Sequence, residues 1–142
     1  MNNMVNEEEL SQYLALIENY KEQLNSLQNQ YSYLQAAVAD YLKAKLTLEH
    51  MQKTEEGTEI LIPIGGNSYI NASMRNTSKI LVDVGANVVM DMTIDSAIKK
   101  INDRIEKLQE SQEKISTLTQ KLESEATEIS YKAQQLMSEE KK

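Results

Sequence analysis

The stretch that decides the fold is residues 59–92, EILIPIGGNSYINASMRNTSKILVDVGANVVMDM. It contains four short runs rich in β-branched residues, arranged as two pairs. Within each pair, a glycine-containing turn connects the two runs, at Gly65-Gly66-Asn67 in the first pair and at Gly85-Ala86-Asn87 in the second. Glycine adopts positive φ without a Cβ clash, so glycines between β-branched runs are typical of hairpins. The stretch therefore predicts two consecutive β-hairpins joined by the polar segment 73–78.

The segments on either side have a seven-residue period instead. Neither 7–53 nor 94–142 contains glycine or proline. A sustained apolar repeat of 3.5 residues is typical of a left-handed coiled coil, so we predict two long helices. The repeat positions of the first are Leu10, Tyr13, Ile17, Tyr20, Leu24, Leu27, Tyr31, Leu34, Val38, Tyr41, Lys45 and Leu48. Those of the second are Ile94, Ile98, Ile101, Ile105, Leu108, Gln112, Ile115, Thr119, Leu122, Ala126, Ile129, Ala133 and Leu136.

Two helices of similar length around a compact insert predict an antiparallel helical hairpin within one chain. The alternative is two parallel helices, each paired with another chain. We therefore predict the α+β class, with a long antiparallel α-helical coiled coil and two β-hairpins inserted between the helices. The expected domains are an N-terminal coiled-coil helix at 1–56, the two hairpins at 57–93 and a C-terminal coiled-coil helix at 94–142.

The composition limits the possible functions. The 142 residues include 15 basic and 22 acidic ones, for a net charge of -7. No segment is basic, which disfavours binding to nucleic acid or to an acidic membrane surface. With no cysteine and only His50 as histidine, we expect no metal site and no cofactor. We recognise no catalytic nucleophile, base or phosphate loop, so we predict that the chain is not an enzyme. We expect neither a signal peptide nor a membrane span, and a soluble intracellular protein is predicted.

The hairpins are candidate assembly elements. Alternate strand residues place apolar side chains on one face, and two isolated hairpins are weakly stable in water. We expect them to join hairpins of other subunits in a shared sheet or barrel. The alternative is a small sheet packed on the helix ends of the same chain. The candidate assembly residues are Ile60, Ile62, Ile64, Tyr69, Ile70, Ile80, Val82, Val84 and Val88.

The helix ends farthest from the hairpins are the second candidate site, here named the tip surface. Leu14 and Leu16 flank the seam, where coiled coils usually place charged residues. Such an excess of apolar side chains predicts an interaction surface, and the alternative is local repacking or fraying. The tip surface consists of Leu10, Tyr13, Leu14, Leu16, Ile17, Ile129, Ala133, Leu136 and Met137.

Two motifs give the chain a family resemblance. They are Pro63-Ile-Gly-Gly-Asn-Ser-Tyr69-Ile-Asn-Ala72 and Ile80-Leu-Val-Asp-Val-Gly85-Ala-Asn-Val-Val89. Together they resemble the pattern P-L-G-G-x-x-Y-V-x-A followed by V-L-V-D-I-G-x-G-V of archaeal prefoldin alpha subunits (GimC alpha), with Asn87 where glycine is common. The resemblance covers essentially the whole chain. Two hairpins, rather than the single hairpin of beta subunits, indicate the alpha class, which includes the filament-forming gamma prefoldin.

The resemblance implies an ATP-independent molecular chaperone of the archaeal cytoplasm. Two alpha and four prefoldin beta subunits would form a hexamer through an oligomeric β-barrel platform built from their hairpins. Unfolded client proteins would be held at apolar coiled-coil tips and delivered to a group II chaperonin. Two alternatives remain open: a structural coiled-coil or filament-forming (gamma-type) subunit, and an arm that positions a catalytic partner.

Overall fold

A computed structural model describes residues 2–140 of the chain. The elements are α1 (Asn2–Gln52), β1 (Glu59–Gly65), β2 (Ser68–Ser73), β3 (Lys79–Gly85), β4 (Val88–Thr93) and α2 (Ile94–Glu140). The prediction of two long helices with two β-hairpins between them is confirmed. The described residues form two compact units, a terminal unit of residues 2–36 and 108–140 and a hairpin unit of residues 37–107. Within residues 2–140, no helix combines the length and apolarity needed to cross a membrane.

The heptad positions predicted for both helices are the covered ones. Every one of them is buried or half-buried. In the terminal unit, Leu27, Leu122 and Ala133 are buried, and the hydroxyl of Tyr20 donates a hydrogen bond to Oε2 of Glu125 at 3.1 Å. Further along α1, residues 26–34 line one groove with residues 111 and 115 of α2. Residue numbers therefore fall along α2 as they rise along α1, from the pair at 20 and 125 to the groove at 26–34 and 111–115. The two helical segments of this unit are antiparallel.

The two hairpins repeat one pattern at an interval of twenty residues. β1 pairs with β2 and β3 with β4, both antiparallel, and corresponding pairs such as Ile62–Ile70 and Val82–Met90 are offset by twenty. In each hairpin, a single unpaired residue just before the turn shifts the register of the strand pair. In the first hairpin this residue is Ile64. The repeat makes each position of one hairpin comparable with a position of the other.

In both hairpin turns all three residues have positive φ, and the last two, which connect the paired strand ends, have the positive φ of type I′ geometry. In the first turn these are Gly66 and Asn67, with φ of 57° and 58°, and in the second they are Ala86 and Asn87, with φ of 52° and 61°. Asparagine tolerates this region and glycine has no steric penalty there. Alanine has such a penalty, because its Cβ clashes with the backbone at positive φ. Ala86 is therefore the strained turn residue.

Replacing Ala86 with glycine should raise the free energy of unfolding by up to about 1 kcal/mol, because the Cβ clash at positive φ is removed. The reverse change at the equivalent position, Gly66→Ala, should lower it by about 1 kcal/mol. A Cβ built at Gly66 has no atom within 4 Å, so that variant measures backbone strain rather than crowding. Urea unfolding at one fixed subunit concentration measures both changes. If Ala86→Gly instead lowers the free energy of unfolding, Ala86 is not strained at this turn.

The core of the hairpin unit lies where α2 begins. Its buried residues are Leu48, Ile94 and Ala97. β4 runs into α2 without a linker, and Oγ1 of Thr93 accepts a hydrogen bond from the backbone N–H of Ser96 at 3.2 Å, which caps the helix. The second hairpin is thereby held against the helix ends. The partly buried residues that pack on this core are Met51, Ile80, Val82, Met92, Ile98 and Ile101.

Candidate functional site

The tip surface lies in the terminal unit and contains two kinds of apolar side chain. Its flanking members, Leu14, Leu16 and Met137, are 50%, 42% and 41% exposed. The seam member Ala133 is buried, at 2% exposure. The apolar side chains of this surface therefore exceed what the helix pair covers. The remaining seam members are half-buried, namely Leu10, Tyr13, Ile17, Ile129 and Leu136.

Sequence reasoning missed several exposed apolar residues of the terminal unit, and three of them lie towards the ends of the helices. Met4 and Val5 are 78% and 65% exposed, and Tyr131 is 62% exposed. Met4 and Val5 precede the first heptad, so periodicity did not include them. Tyr131 occupies an outer position of α2, where coiled coils usually carry polar residues. An aromatic residue at such a position was the signal that could have identified it.

Two tyrosine hydroxyls near the tip donate to carboxylates. The Tyr13 hydroxyl donates to Oε1 of Glu9 at 3.0 Å, and this bond, together with burial and the negative charge of Glu9, raises the pKa of Tyr13. The bond from Tyr20 to Glu125 likewise raises the pKa of Tyr20, with burial and nearby carboxylate charge adding to it. Both hydroxyls are therefore held protonated as donors. The Tyr20 bond joins α1 to α2 within the terminal unit.

Alkaline pH should weaken the helix pairing through Tyr20. The pKa of Tyr20 is raised above the ordinary value of 10.0 in the folded chain, so the folded state holds this proton more tightly than the unfolded state. The stabilisation is complete below the unfolded pKa and is lost as the pH rises through the folded pKa. Thermal melts from about pH 8 to about pH 11 measure this loss.

The Tyr20→Phe variant should show a smaller fall of Tm with rising pH, because it lacks the titrating hydroxyl. Tyr33→Phe is the matched control at a position 77% exposed, and it should keep the wild-type profile. If Tyr20→Phe also keeps the wild-type slope, the Tyr20–Glu125 bond makes no measurable contribution to stability.

The predicted assembly residues occupy two environments. Ile80 and Val82 pack against the core of their own hairpin unit, so the chain itself covers part of their surface. The alternative, in which the hairpins pack on the helix ends of the same chain, therefore applies to one face of the second hairpin. Ile60 and Val84 are half-buried. The remaining predicted residues are between 40% and 61% exposed, namely Ile62, Ile64, Tyr69, Ile70 and Val88.

Four exposed large apolar strand residues were not predicted, and two of them are the most exposed in the strands. Leu61 and Leu81, at equivalent positions of the two hairpins, are 64% and 72% exposed, and Val89 and Met90 are 57% and 50% exposed. Leu61 faces away from its isoleucine neighbours, and Leu81 faces away from Ile80 and Val82, because side chains alternate along a strand. The uninterrupted apolar runs at 60–62 and 80–82 were the available signal. Such runs are typical of strands that are covered on both faces.

The polar side chains of the described residues form no metal-binding cluster. His50 is exposed near the end of α1. Across residues 2–140, no group of three histidine, cysteine, aspartate or glutamate side chains is placed to hold a metal ion. Gly65 and Gly66 belong to the first hairpin turn. Apolar surfaces, rather than polar clusters, are therefore the candidate sites of this chain.

Comparison with curated proteins identifies relatives over most of the chain. The family model for the prefoldin subunit matches residues 20–139. Prefoldin subunit alpha of Archaeoglobus fulgidus is 30% identical over 126 residues, which cover 89% of this chain and 92% of that protein. Prefoldin subunit alpha of Methanococcus maripaludis is 30% identical over 113 residues, which cover 80% of this chain and 76% of that protein.

Solved structures share the fold. A chain of the filamentous PFD from Methanocaldococcus jannaschii, determined by cryo-electron microscopy, aligns with a TM-score of 0.62 and 26% identity, over 88% of this chain and 98% of that one. The prefoldin beta subunit from Thermococcus strain KS-1 aligns with a TM-score of 0.59, over 89% and 90% of the two chains, and at 17% identity it supports the fold alone. The family match over most of the length, with relatives at 30% identity, establishes that this chain belongs to the prefoldin family of chaperone subunits.

Proposed function

We propose that this chain is the alpha-type subunit of an ATP-independent chaperone that holds unfolded proteins at its tip surface and delivers them to a group II chaperonin. The observation that carries the proposal is the exposure of Leu14, Leu16 and Met137 beside a covered seam, in a chain of the prefoldin family. Clustered apolar side chains that the chain leaves uncovered are typical of interaction surfaces. Unfolded proteins expose the apolar side chains that such a surface would bind.

We propose a division of labour along the chain. Residues 1–56 and 94–142 form the coiled coil that carries the tip, and residues 57–93 form the platform that joins subunits. The exposed leucines Leu61 and Leu81 support the platform role, because they leave an apolar strand face uncovered in the single chain. We further propose an assembly of two copies of this chain with four beta-type subunits in the cytoplasm, and the similarity to archaeal alpha subunits supports the alpha-type role within it.

The mechanism that fits these surfaces is multivalent capture. A tip that covers roughly 100–150 Å² of client would contribute about 2–4 kcal/mol at ~25 cal/mol per Å². Several tips on one platform raise the effective concentration, so weak contacts become useful avidity. Release then requires competition for the same client surface and no nucleotide. A net charge of -7 favours solubility of the empty chaperone.

The direct test is a holding assay with the assembled protein. The chain is purified together with a beta-type subunit, and a chemically unfolded client is diluted into the complex without nucleotide while light scattering is recorded. Aggregation should be suppressed at near-stoichiometric amounts of complex, and the held client should become refoldable when a group II chaperonin and ATP are added. Aggregation at the rate seen without the complex would contradict the proposal.

A second candidate function is that of a filament-forming, gamma-type subunit. The similarity to a filamentous PFD at a TM-score of 0.62 favours it. A filament arises when the contact between copies does not close on itself, so its mass grows with concentration. A discrete hexamer mass over a hundredfold dilution would support the alpha-type proposal. A mass that rises continuously with concentration would support the filament.

A further inference from the structure

The first helix brings negative charge to the tip surface without any positive charge to balance it. Residues 1–20 contain four glutamates, Glu7, Glu8, Glu9 and Glu18, and no lysine or arginine. On α2, Nζ of Lys132 lies 3.7 Å from Oε1 of Glu128, so a carboxylate of the same helix offsets this lysine. The apolar residues of the tip therefore stand in a negative potential to which the first helix contributes four carboxylates and no cation of its own.

The carboxylates share a helix face with an exposed leucine. Glu18 follows Leu14 by four residues and Glu7 precedes it by seven, so all three lie along one stripe of α1. Their separations along the axis from Leu14 are about 6 Å and about 10.5 Å. Both lie within roughly one Debye length at 0.1 M salt, so a charge on a segment bound at Leu14 interacts with both carboxylates.

We infer that the tip selects client segments in which large apolar residues are interspersed with lysine or arginine. This inference rests on the proposed function and specifies the class of client segment. The exposed leucine supplies the apolar contact, and the carboxylates beside it attract a basic neighbour in the bound segment. The same carboxylates repel acidic segments of equal apolarity, so attraction and repulsion both contribute to selection.

A pair of unstructured fluorescent peptides tests the inference on the assembled complex. The two peptides have identical apolar residues and differ only in that one carries lysine and arginine where the other carries glutamate and aspartate. Fluorescence anisotropy should show the basic peptide binding about tenfold more tightly at low salt, because about three exposed charges each contribute roughly a factor of two. The ratio should approach one at about 0.5 M salt, where the Debye length is short.

A triple variant of the tip removes three of the four first-helix charges while keeping the shape of the side chains. Glu7→Gln with Glu8→Gln and Glu18→Gln should bring the affinity ratio close to one at low salt, through weaker binding of the basic peptide and tighter binding of the acidic peptide. The matched control makes the same change in net charge at exposed positions of α2, and it should keep the wild-type ratio. The control combines Glu110→Gln, Glu113→Gln and Glu123→Gln.

The outcomes separate this inference from the proposed function. If wild type binds both peptides equally at low salt, selection by charge is wrong and holding by the tip stands. If wild type binds neither peptide, holding of unfolded segments is itself wrong. If the control variant loses selectivity as fully as the tip variant, the effect belongs to the overall charge of the complex and the tip assignment is overturned.

Discussion

Replacing Leu61 and Leu81 together with aspartate should reduce the native mass of the purified complex to that of free subunits. In the single chain these leucines are 64% and 72% exposed. Covering both in an interface would contribute about 3–6 kcal/mol, which corresponds to a factor of roughly 10²–10⁴ in the association constant. Two carboxylates forced into the same apolar contact add a desolvation cost. Native mass spectrometry at micromolar concentration measures the loss directly.

The control for this variant uses two exposed leucines of α1 outside the hairpins. Leu42 and Leu46 are 48% and 53% exposed, so Leu42→Asp with Leu46→Asp makes the same chemical change and should leave the mass unchanged. Circular dichroism should show unchanged helix content in both variants. Val82→Asp is a poorer test, because Val82 packs on the core of its own unit and its replacement would also destabilise the subunit. A wild-type mass for the Leu61–Leu81 variant would show that these residues do not join subunits.

Leu14→Ser combined with Leu16→Ser should weaken client holding and leave assembly intact. Both leucines are at least 42% exposed, so their loss removes contact surface without opening the seam. Loss of part of their apolar area would cost about 1–2 kcal/mol per tip, or roughly 5- to 30-fold in affinity for one tip. Avidity multiplies the effect when several tips bind one client. The concentration of complex that halves client aggregation should rise accordingly.

The tip variant also has a matched control on the same helix. Leu42→Ser with Leu46→Ser removes two exposed leucines in the hairpin unit and should hold clients as well as wild type does. Leu10 is a less suitable target, because it is a half-buried seam residue and its replacement would loosen helix pairing. If the tip variant suppresses aggregation as well as its control, the tip surface is not where clients bind.

Much of the fold could be predicted because it is encoded by local, repeating patterns. The seven-residue period identified the covered positions of both helices, and each of them is buried or half-buried. Glycine and asparagine identified both hairpin turns, since few other residues adopt positive φ at low cost. The flanking leucines Leu14 and Leu16 could be predicted as exposed for the same reason. A helix repeat fixes which positions lie outside the seam.

The residues that were missed lie where periodicity gives no answer. In a continuous apolar strand such as Ile60-Leu61-Ile62, alternation separates two faces and does not say which one the rest of the chain covers. Leu61 and Leu81 were therefore overlooked as exposed residues. Tyr131 lies outside the seam, at a position that the apolar repeat does not include, and it is 62% exposed in the folded chain.

The sequence by itself determined the helices, their seam, the turns and the family. Only the tertiary structure decided that two hairpins of nearly identical register have different surroundings. β4 passes directly into α2 at Thr93, so the chain connection holds Ile80 and Val82 of the second hairpin against the helix-end core. Residues 53–58 separate β1 from α1, and Ile62 of the first hairpin remains 40% exposed. The difference arises from chain connectivity acting through packing, which strand composition does not encode.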